Sequence, residues 1–213
     1  MESRIQKTID NLKANNMEVF YANSKEEIPE IVKGLLKEND VISCGGSVTL
    51  AECGVTDLMK SGNYRFLDRS QPGLTREDIQ EIYRKTFFAD AFLTSANAVT
   101  EKGELINVDG NGNRVTAICF GPKKVICIVG SNKIVPDVAS GFKRVKTVAA
   151  PKNAVRLNTQ TPCKTLGHCI CPDGDIASGC NSPDRICAHY VVNGFQKEKG
   201  RINVIICSKP LGY

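Results

Sequence analysis

The sequence predicts an α/β domain built on a largely parallel sheet covered by helices on both faces. Three observations carry this. Strand-like and helix-like segments alternate through the first 145 residues, the pattern of successive βαβ units. Lys124 to Val129 is an apolar run rich in β-branched residues, as a strand buried on both faces requires. Helix-start signals, Ser24-Lys-Glu-Glu27 and Thr75-Arg-Glu-Asp78, stand just ahead of apolar residues at helical spacing.

Residues 2–15 place Ile5, Ile9 and Leu12 on one helical face, and Asn15-Asn16 ends that helix. Met17 to Ala22 reads as a strand. The capping box at Ser24 opens a helix that turns Ile28, Ile31, Val32, Leu35 and Leu36 inward. Asp40 to Cys44 is a short strand, followed by Gly45-Gly46-Ser47 and a helix from about Val48 to Lys60. Tyr64 to Asp68 is a strand, Pro72-Gly73 a turn, and Thr75 the start of a helix burying Ile79 and Ile82. Asp90 to Asn97 is an apolar strand. Glu101-Lys102-Gly103 turns the chain into Glu104 to Val108, an antiparallel hairpin within the sheet. After the central strand comes a helix around Val138 to Val145, then a cysteine-rich loop, then a final strand from Arg201 to Cys207.

With 213 residues, 41% hydrophobic and 24% charged, the chain is expected to form one domain over 1–213 with a substantial core. No run approaches the ~18 consecutive apolar residues of a membrane span, and Met1 to Asn15 lacks the apolar centre of a secretory signal. A cytoplasmic location without a membrane partner is the expectation. The net charge of +5 is dispersed, with no basic run interleaved with aromatics, so no nucleic-acid partner is expected. The same modest excess suits a site for a small anion.

Two segments are candidates for that site. Gly45-Gly46-Ser47 lies where a strand meets a helix: glycines admit a ligand close to the backbone, and a helix start offers unpaired N–H groups to an anion. The alternative is simple tight-turn geometry. The second segment carries Asn97, then Asn107, Asp109 and Asn113, at the end of an apolar strand and beyond the hairpin. Small polar residues there reach the carboxyl edge of the sheet, where open α/β folds bind ligands; the alternative is a loop of residues that tolerate left-handed backbone. Glu101 sits in the turn between them. Glu52, Glu101 and Asp109 are carboxylates available as acid or base, and spacing does not choose among them.

The most informative feature lies near the C-terminus. Cys163, Cys169, Cys180 and Cys187 are spaced C-x5-C-x10-C-x6-C, with Cys171 inside the long gap and turn-forming residues around them. Four thiolates from one loop can hold a metal ion or an iron–sulfur cluster. The paired C-x2-C of a zinc ribbon is absent, so the spacing names neither. Structural disulfides are disfavoured in a reducing cytosol; redox-active thiols and simple buried cysteines are the other readings. His168 and His189 both lie beside this loop.

The residues also resemble a known family. Gly45-Gly46-Ser47, Thr94 to Leu105, Gly112-Asn113-Arg114, Gly121 to Lys124, Asn132 to Val135, Thr161-Pro162-Cys163, Cys180 to Cys187 and Leu211-Gly212-Tyr213 resemble the lactate-utilisation (LUD) domain, over nearly the whole chain. The departure is the gap between Cys169 and Cys180, where relatives often show two residues. The resemblance implies a Rossmann-like, mostly parallel sheet of the NagB/RpiA/CoA-transferase-like type, carrying a C-terminal cysteine-rich loop. It implies a link to lactate or related hydroxy- and keto-acid metabolism and to iron–sulfur redox partner subunits. The expected ligand set is Gly45, Gly46, Ser47, Asn97, Glu101, Asn107, Asp109 and Asn113 for a small anionic metabolite. Cys163, Cys169, Cys180 and Cys187 are expected to hold iron–sulfur or zinc. A sugar-phosphate isomerase or transferase, and a non-catalytic subunit of a redox complex, remain as alternatives.

Overall fold

The computed structural model describes residues 2–173, 176 and 178–213. Helix α1 (Ser3–Ala14) buries Ile5, Ile9 and Leu12, the three that one helical face brings together. Strand β1 (Glu18–Ala22) follows. The chain then enters α2 (Ile28–Leu35) through a 3-10 turn, Lys25–Glu27. The capping box expected at Ser24 does not form. Ser24 makes no side-chain cap bond, and Glu27 instead accepts from the Asn23 N–H at 3.0 Å, because a 3-10 first turn winds tighter than the box requires.

Strand β2 (Val41–Cys44) leads to α3 (Val48–Glu52) and α4 (Val55–Met59). The single helix expected over 48–60 is therefore two short ones. Gly54 breaks it with φ of +72°, a left-handed backbone that glycine adopts at little steric cost. Next come β3 (Arg65–Phe66) and α5 (Arg76–Thr86), whose capping box between Thr75 and Asp78 is complete. Strands β4 (Ala91–Thr94), β5 (Ala98–Thr100) and β6 (Leu105–Asp109) precede α6 (Asn113–Cys119), a helix inside the Asn/Gly string that reads as loop. Strand β7 (Lys124–Gly130), β8 (Ile134–Val135) and α7 (Val138–Arg144) follow. A π turn over Val145–Ala149 carries α7 on into α8 (Ala150–Leu157), so the expected helix is longer than its periodicity suggests. Short α9 (Pro162–Leu166), β9 (His189–Asn193) and β10 (Ile202–Cys207) complete the chain. Among the described residues from 167 to 188 there is no helix or strand. Gly174, Asp175 and Ala177 of the turn-rich stretch lie outside the described residues.

Among the described residues, six strands form an all-parallel sheet in the order β1-β10-β7-β4-β2-β3. β7 is central, as its composition requires. Alternation along it divides the core. Val125, Cys127 and Val129 join α1 and α6 on one face, while Ile126 and Ile128 meet α2, α3 and α4 on the other. The Glu101 hairpin is antiparallel but lies outside this sheet: β5 and β6 belong to a second sheet, β8-β5-β6-β9. Its face packs on Val145 and Ala150 of the long helix. No helix among the described residues is long and apolar enough to cross a membrane.

Candidate functional site

Parallel strands β2, β4 and β7 all end at one edge, and the segments that leave them line a cavity of about 510 Å³. Gly46 and Ser47 come from β2, Ser95 to Asn97 from β4, Lys133 from β7, and Asp109 and Asn113 from the end of β6. The placement at the carboxyl edge of a parallel sheet is the expected one. Gly45, Asn107 and Glu101 do not line the cavity. Gly45 stands behind it, where an added Cβ would come within 2.7 Å of Arg114 Cδ. Asn107 is fully buried and accepts from Arg114 at 2.8 Å. Glu101 is turned toward α1, paired with Arg4 at 2.8 Å and Lys7 at 3.1 Å.

The three carboxylates considered as acid or base all hold structure together. Asp109 accepts the N–H groups of Arg114 at 2.7 Å and Val115 at 3.2 Å, fixing the start of α6. Glu52 accepts the Gly212 N–H at 2.6 Å, and Glu101 is the ion pair just described. Ser47 likewise caps α3, accepting from Leu50 N–H at 3.3 Å. Since α3 has only five residues, its dipole contributes little field.

The field comes instead from cations. Arg69, Arg114, Lys133, Arg156 and Arg185 line the cavity, against Asp109 and Asp184. None of the five makes an ion pair among the described residues. Arg114 donates to Ser95 O at 2.9 Å, Asn107 Oδ1 at 2.8 Å, Asn97 Oδ1 at 2.8 Å and Val108 O at 2.7 Å. These acceptors are all neutral, so its charge is oriented but not cancelled. Desolvation lowers its pKa, partly offset by Asp109, yet a guanidinium stays protonated. Arg69 donates to the Tyr83 hydroxyl at 2.7 Å and lies over that ring. Arg156 is held by Asn153 and by Tyr213, at 2.9 and 3.0 Å. An added Cβ at Gly46 would meet the Arg69 guanidinium at 3.0 Å and that of Arg156 at 3.4 Å. The glycine pair leaves room for three arginines to converge.

Lys133 is 3% exposed. Burial, and then the neighbouring Arg144, bring its ammonium pKa down to about 7. Its Nζ donates to Thr49 Oγ1 at 2.8 Å and Ser95 Oγ at 2.9 Å.

The cysteine segment forms the adjoining wall. Pro183 to Ile186 line the large cavity, and Ala150 lines both it and a second, enclosed void of about 20 Å³. Cys163, Cys169, Cys180 and Cys187 all line that void, with Lys146 and the apolar Pro151, Pro162 and Ile170. Cys171 does not; its N–H donates to Cys169 Sγ at 3.5 Å. Thr161 Oγ1 is 3.4 Å from Cys163 Sγ. The Tyr190 hydroxyl is buried and makes no direct geometric hydrogen bond among the described residues; burial raises its pKa, and the nearby Cys187 raises it further. Arg185 ties the loop to the cavity, donating to the carbonyls of Cys187 at 3.1 Å and Cys180 at 3.3 Å. Among the described residues, no three His, Cys, Asp or Glu side chains meet as ligands of one metal ion.

The LUD domain, as a sequence family, matches residues 5–207. The chain belongs to the LUD domain family. No curated protein matches it. Among solved structures, a duf162 family protein from Deinococcus radiodurans is similar over 98% of this chain and 99% of that one, at 17% identity and a TM-score of 0.52. Partial similarity extends to eIF2B beta from Chaetomium thermophilum (64% of this chain, 48% of that chain, 16% identity, TM-score 0.39). It extends also to ribose 5-phosphate isomerase A from Methanocaldococcus jannaschii (62% and 64%, 15% identity, TM-score 0.35).

In this LUD domain the residues that charge the cavity were not among those singled out by sequence reasoning. Arg114 and Lys133 sit inside motifs that carry the family resemblance, Gly112-Asn113-Arg114 and Asn132-Lys133, which was the available signal. Arg185 likewise sits inside the Cys180 to Cys187 motif, whereas Arg69 and Arg156 lie in segments that look like ordinary solvated surface.

Proposed function

We propose that this LUD domain binds a small anionic metabolite of the hydroxy- or keto-acid class at the carboxyl edge of its sheet. The site acts beside a centre held by Cys163, Cys169, Cys180 and Cys187. The observation that carries the reading is the set of five cavity cations that make no ion pair among the described residues, buried Lys133 and half-buried Arg114 foremost. Buried or half-buried charge is costly unless compensated, and an anionic ligand supplies the missing partner. Forked guanidinium groups suit a carboxylate in particular.

The donor set of the small void fits a thiolate-bound centre. Four cysteines line it, the Cys171 amide and the Thr161 hydroxyl lie against two of their sulfurs, and the buried Tyr190 hydroxyl lies near Cys187. Hydrogen bonds to sulfur stabilise thiolate ligands and tune them. The redox association that the family resemblance implies favours an iron–sulfur core over zinc. Such a centre, when bound, supplies an electron path to a hydroxy acid in the next cavity. The residues of the chain bind and orient that acid, and Ala150 and Arg185 set the wall between the two.

Calorimetric titration with lactate, pyruvate and phosphate esters tests the anion site. Lactate or pyruvate is expected to bind, with Arg156→Met weakening it about 10-fold, the worth of one charge-assisted hydrogen bond. Tight binding of phosphate esters alone would favour a sugar-phosphate enzyme. Turnover seen only after adding redox partner proteins would identify a subunit of a larger complex.

A further inference from the structure

Lys133 is set up for more than charge. The tight turn Ser131–Lys133, at the end of β7, brings it beneath the cavity. It is 3% exposed, and its Nζ is held between two hydroxyls, Thr49 Oγ1 at 2.8 Å and Ser95 Oγ at 2.9 Å. An ammonium has three donors; a neutral amine has two and a lone pair. Two hydroxyl acceptors therefore match the neutral amine, and the remaining position, which has no protein partner among the described residues, carries the lone pair. Arg114 and Arg144 nearby and the absence of an ion pair disfavour the ammonium. A buried lysine among other cations is the setting in which an amine becomes a nucleophile.

We propose that Lys133 captures the carbonyl carbon of a 2-oxo acid in this cavity as a Schiff base. The inference rests on the anion-binding reading above and adds a covalent step. The Nζ lone pair forms the N–C bond while the carbonyl π pair moves to oxygen, which takes a proton from nitrogen. The hydroxyl of this carbinolamine then leaves as water with one proton from solvent, as the nitrogen lone pair closes the C=N bond. The resulting iminium keeps one N–H for a hydroxyl partner, and the ligand carboxylate stays among the arginines.

The test is reductive trapping on the full chain. The protein is incubated with pyruvate and cyanoborohydride near pH 7.5; hydride reduces the iminium to a stable secondary amine, read by intact mass and peptide mapping. One adduct per chain on Lys133 is expected, with labelling on the order of 100-fold above any surface lysine, because ordinary lysines are almost wholly protonated there. Lactate, which has no ketone carbonyl, should form no adduct and should compete. Lys133→Met should lose the adduct while keeping its circular-dichroism spectrum. Calorimetry with pyruvate runs in parallel. Binding without an adduct, or an adduct on Lys146 or surface lysines instead, overturns the Schiff base alone. Neither binding nor adduct overturns it together with the anion site.

Discussion

Cys127 lies in mid-strand on β7, 1% exposed and walled by apolar side chains. Cys163, in α9, is half-buried against a void it shares with three other thiols. Cys127 stands for a group in the sheet and its helices. Burial pushes the thiols of Cys44 and Cys53 up to about 11 and that of Cys127 to about 12, and raises Cys207 as well. Thiols kept protonated behave as small hydrophobes. Burial also raises Cys163, but there Cys187, Cys180 and Cys169 add to the shift, a mutual repulsion that a bound cation or cluster would relieve. Desolvation alone makes a cysteine inert; thiols that share one void, as the proposed ligand set does, also raise one another's pKa. The same burial acts with opposite sign on Lys133, since it disfavours the charged form of either group.

The largest effect that would sharpen this contrast is on metal content. Cys163→Ser with Cys180→Ser is expected to take anaerobically purified protein from about one centre per chain to none, with loss of the broad visible absorption of an iron–sulfur cluster. Cys127→Ala should leave metal and spectrum unchanged and lower stability by about 1 kcal/mol, the cost of a small core truncation. Equal loss of metal in both variants would erase the distinction.

Reactivity comes next. In protein stripped of metal, maleimide at pH 7 is expected to label the loop thiols on the order of 100-fold faster than Cys44, Cys53 and Cys127, because the loop is more accessible and burial keeps the sheet and helix thiols protonated. Mass-mapped rates check this; rapid labelling of Cys127 would break it.

The amine gives a pH signature. The folded value of Lys133, about 7, lies below the unfolded one near ~10.4, so between the two the unfolded chain holds the extra proton. Stability in anion-free buffer should therefore rise as pH climbs from about 7 toward 10, by at most ~1.4 kcal/mol per pH unit. Comparison of denaturant unfolding in wild type and Lys133→Met isolates this slope; identical slopes would show that the lysine is not held neutral.

The smallest effect is expected from Glu101→Gln. Its pairs with Arg4 and Lys7 are at the surface, where screening leaves little. Anion affinity should not change, and any loss in melting temperature should fade at high salt. A large drop in affinity would return Glu101 to the binding wall.

How much was legible follows from which signals are local. β7 declares itself by β-branched composition, α1 by the spacing of Ile5, Ile9 and Leu12, and α5 by its Thr75 box. The glycine pair and the Asn97 to Asn113 segment mark the right sheet edge, because strand ends are local features. The second sheet was not legible: β5 and β8 are three and two residues long, too short for alternation to show. α6 hides behind Gly110-Asn111-Gly112. Gly54 divides a helix that periodicity alone would continue. The cavity's charge was the hardest to see. Arg69, Arg114, Lys133, Arg156 and Arg185 come from five separate segments of the chain, and only the tertiary fold brings them together. Cys163, Cys169, Cys180 and Cys187, by contrast, lie within 25 residues of one another, so their spacing alone points to the void they line.

The unpaired cations have one more consequence, for the energetics of the whole molecule. Arg69, Arg114 and Lys133 repel one another across a partly desolvated space, a cost to the folded state that a bound anion would offset. An anion that binds only the folded chain adds RT ln(1 + [L]/Kd), about 2.7 kcal/mol at a hundredfold excess over Kd. If the proposed site binds anions, the melting temperature of this protein is expected to depend on its buffer. Phosphate, acetate or a keto acid in the tube would then act as a missing piece of the fold, and the concentration of such anions would set the stability of the chain.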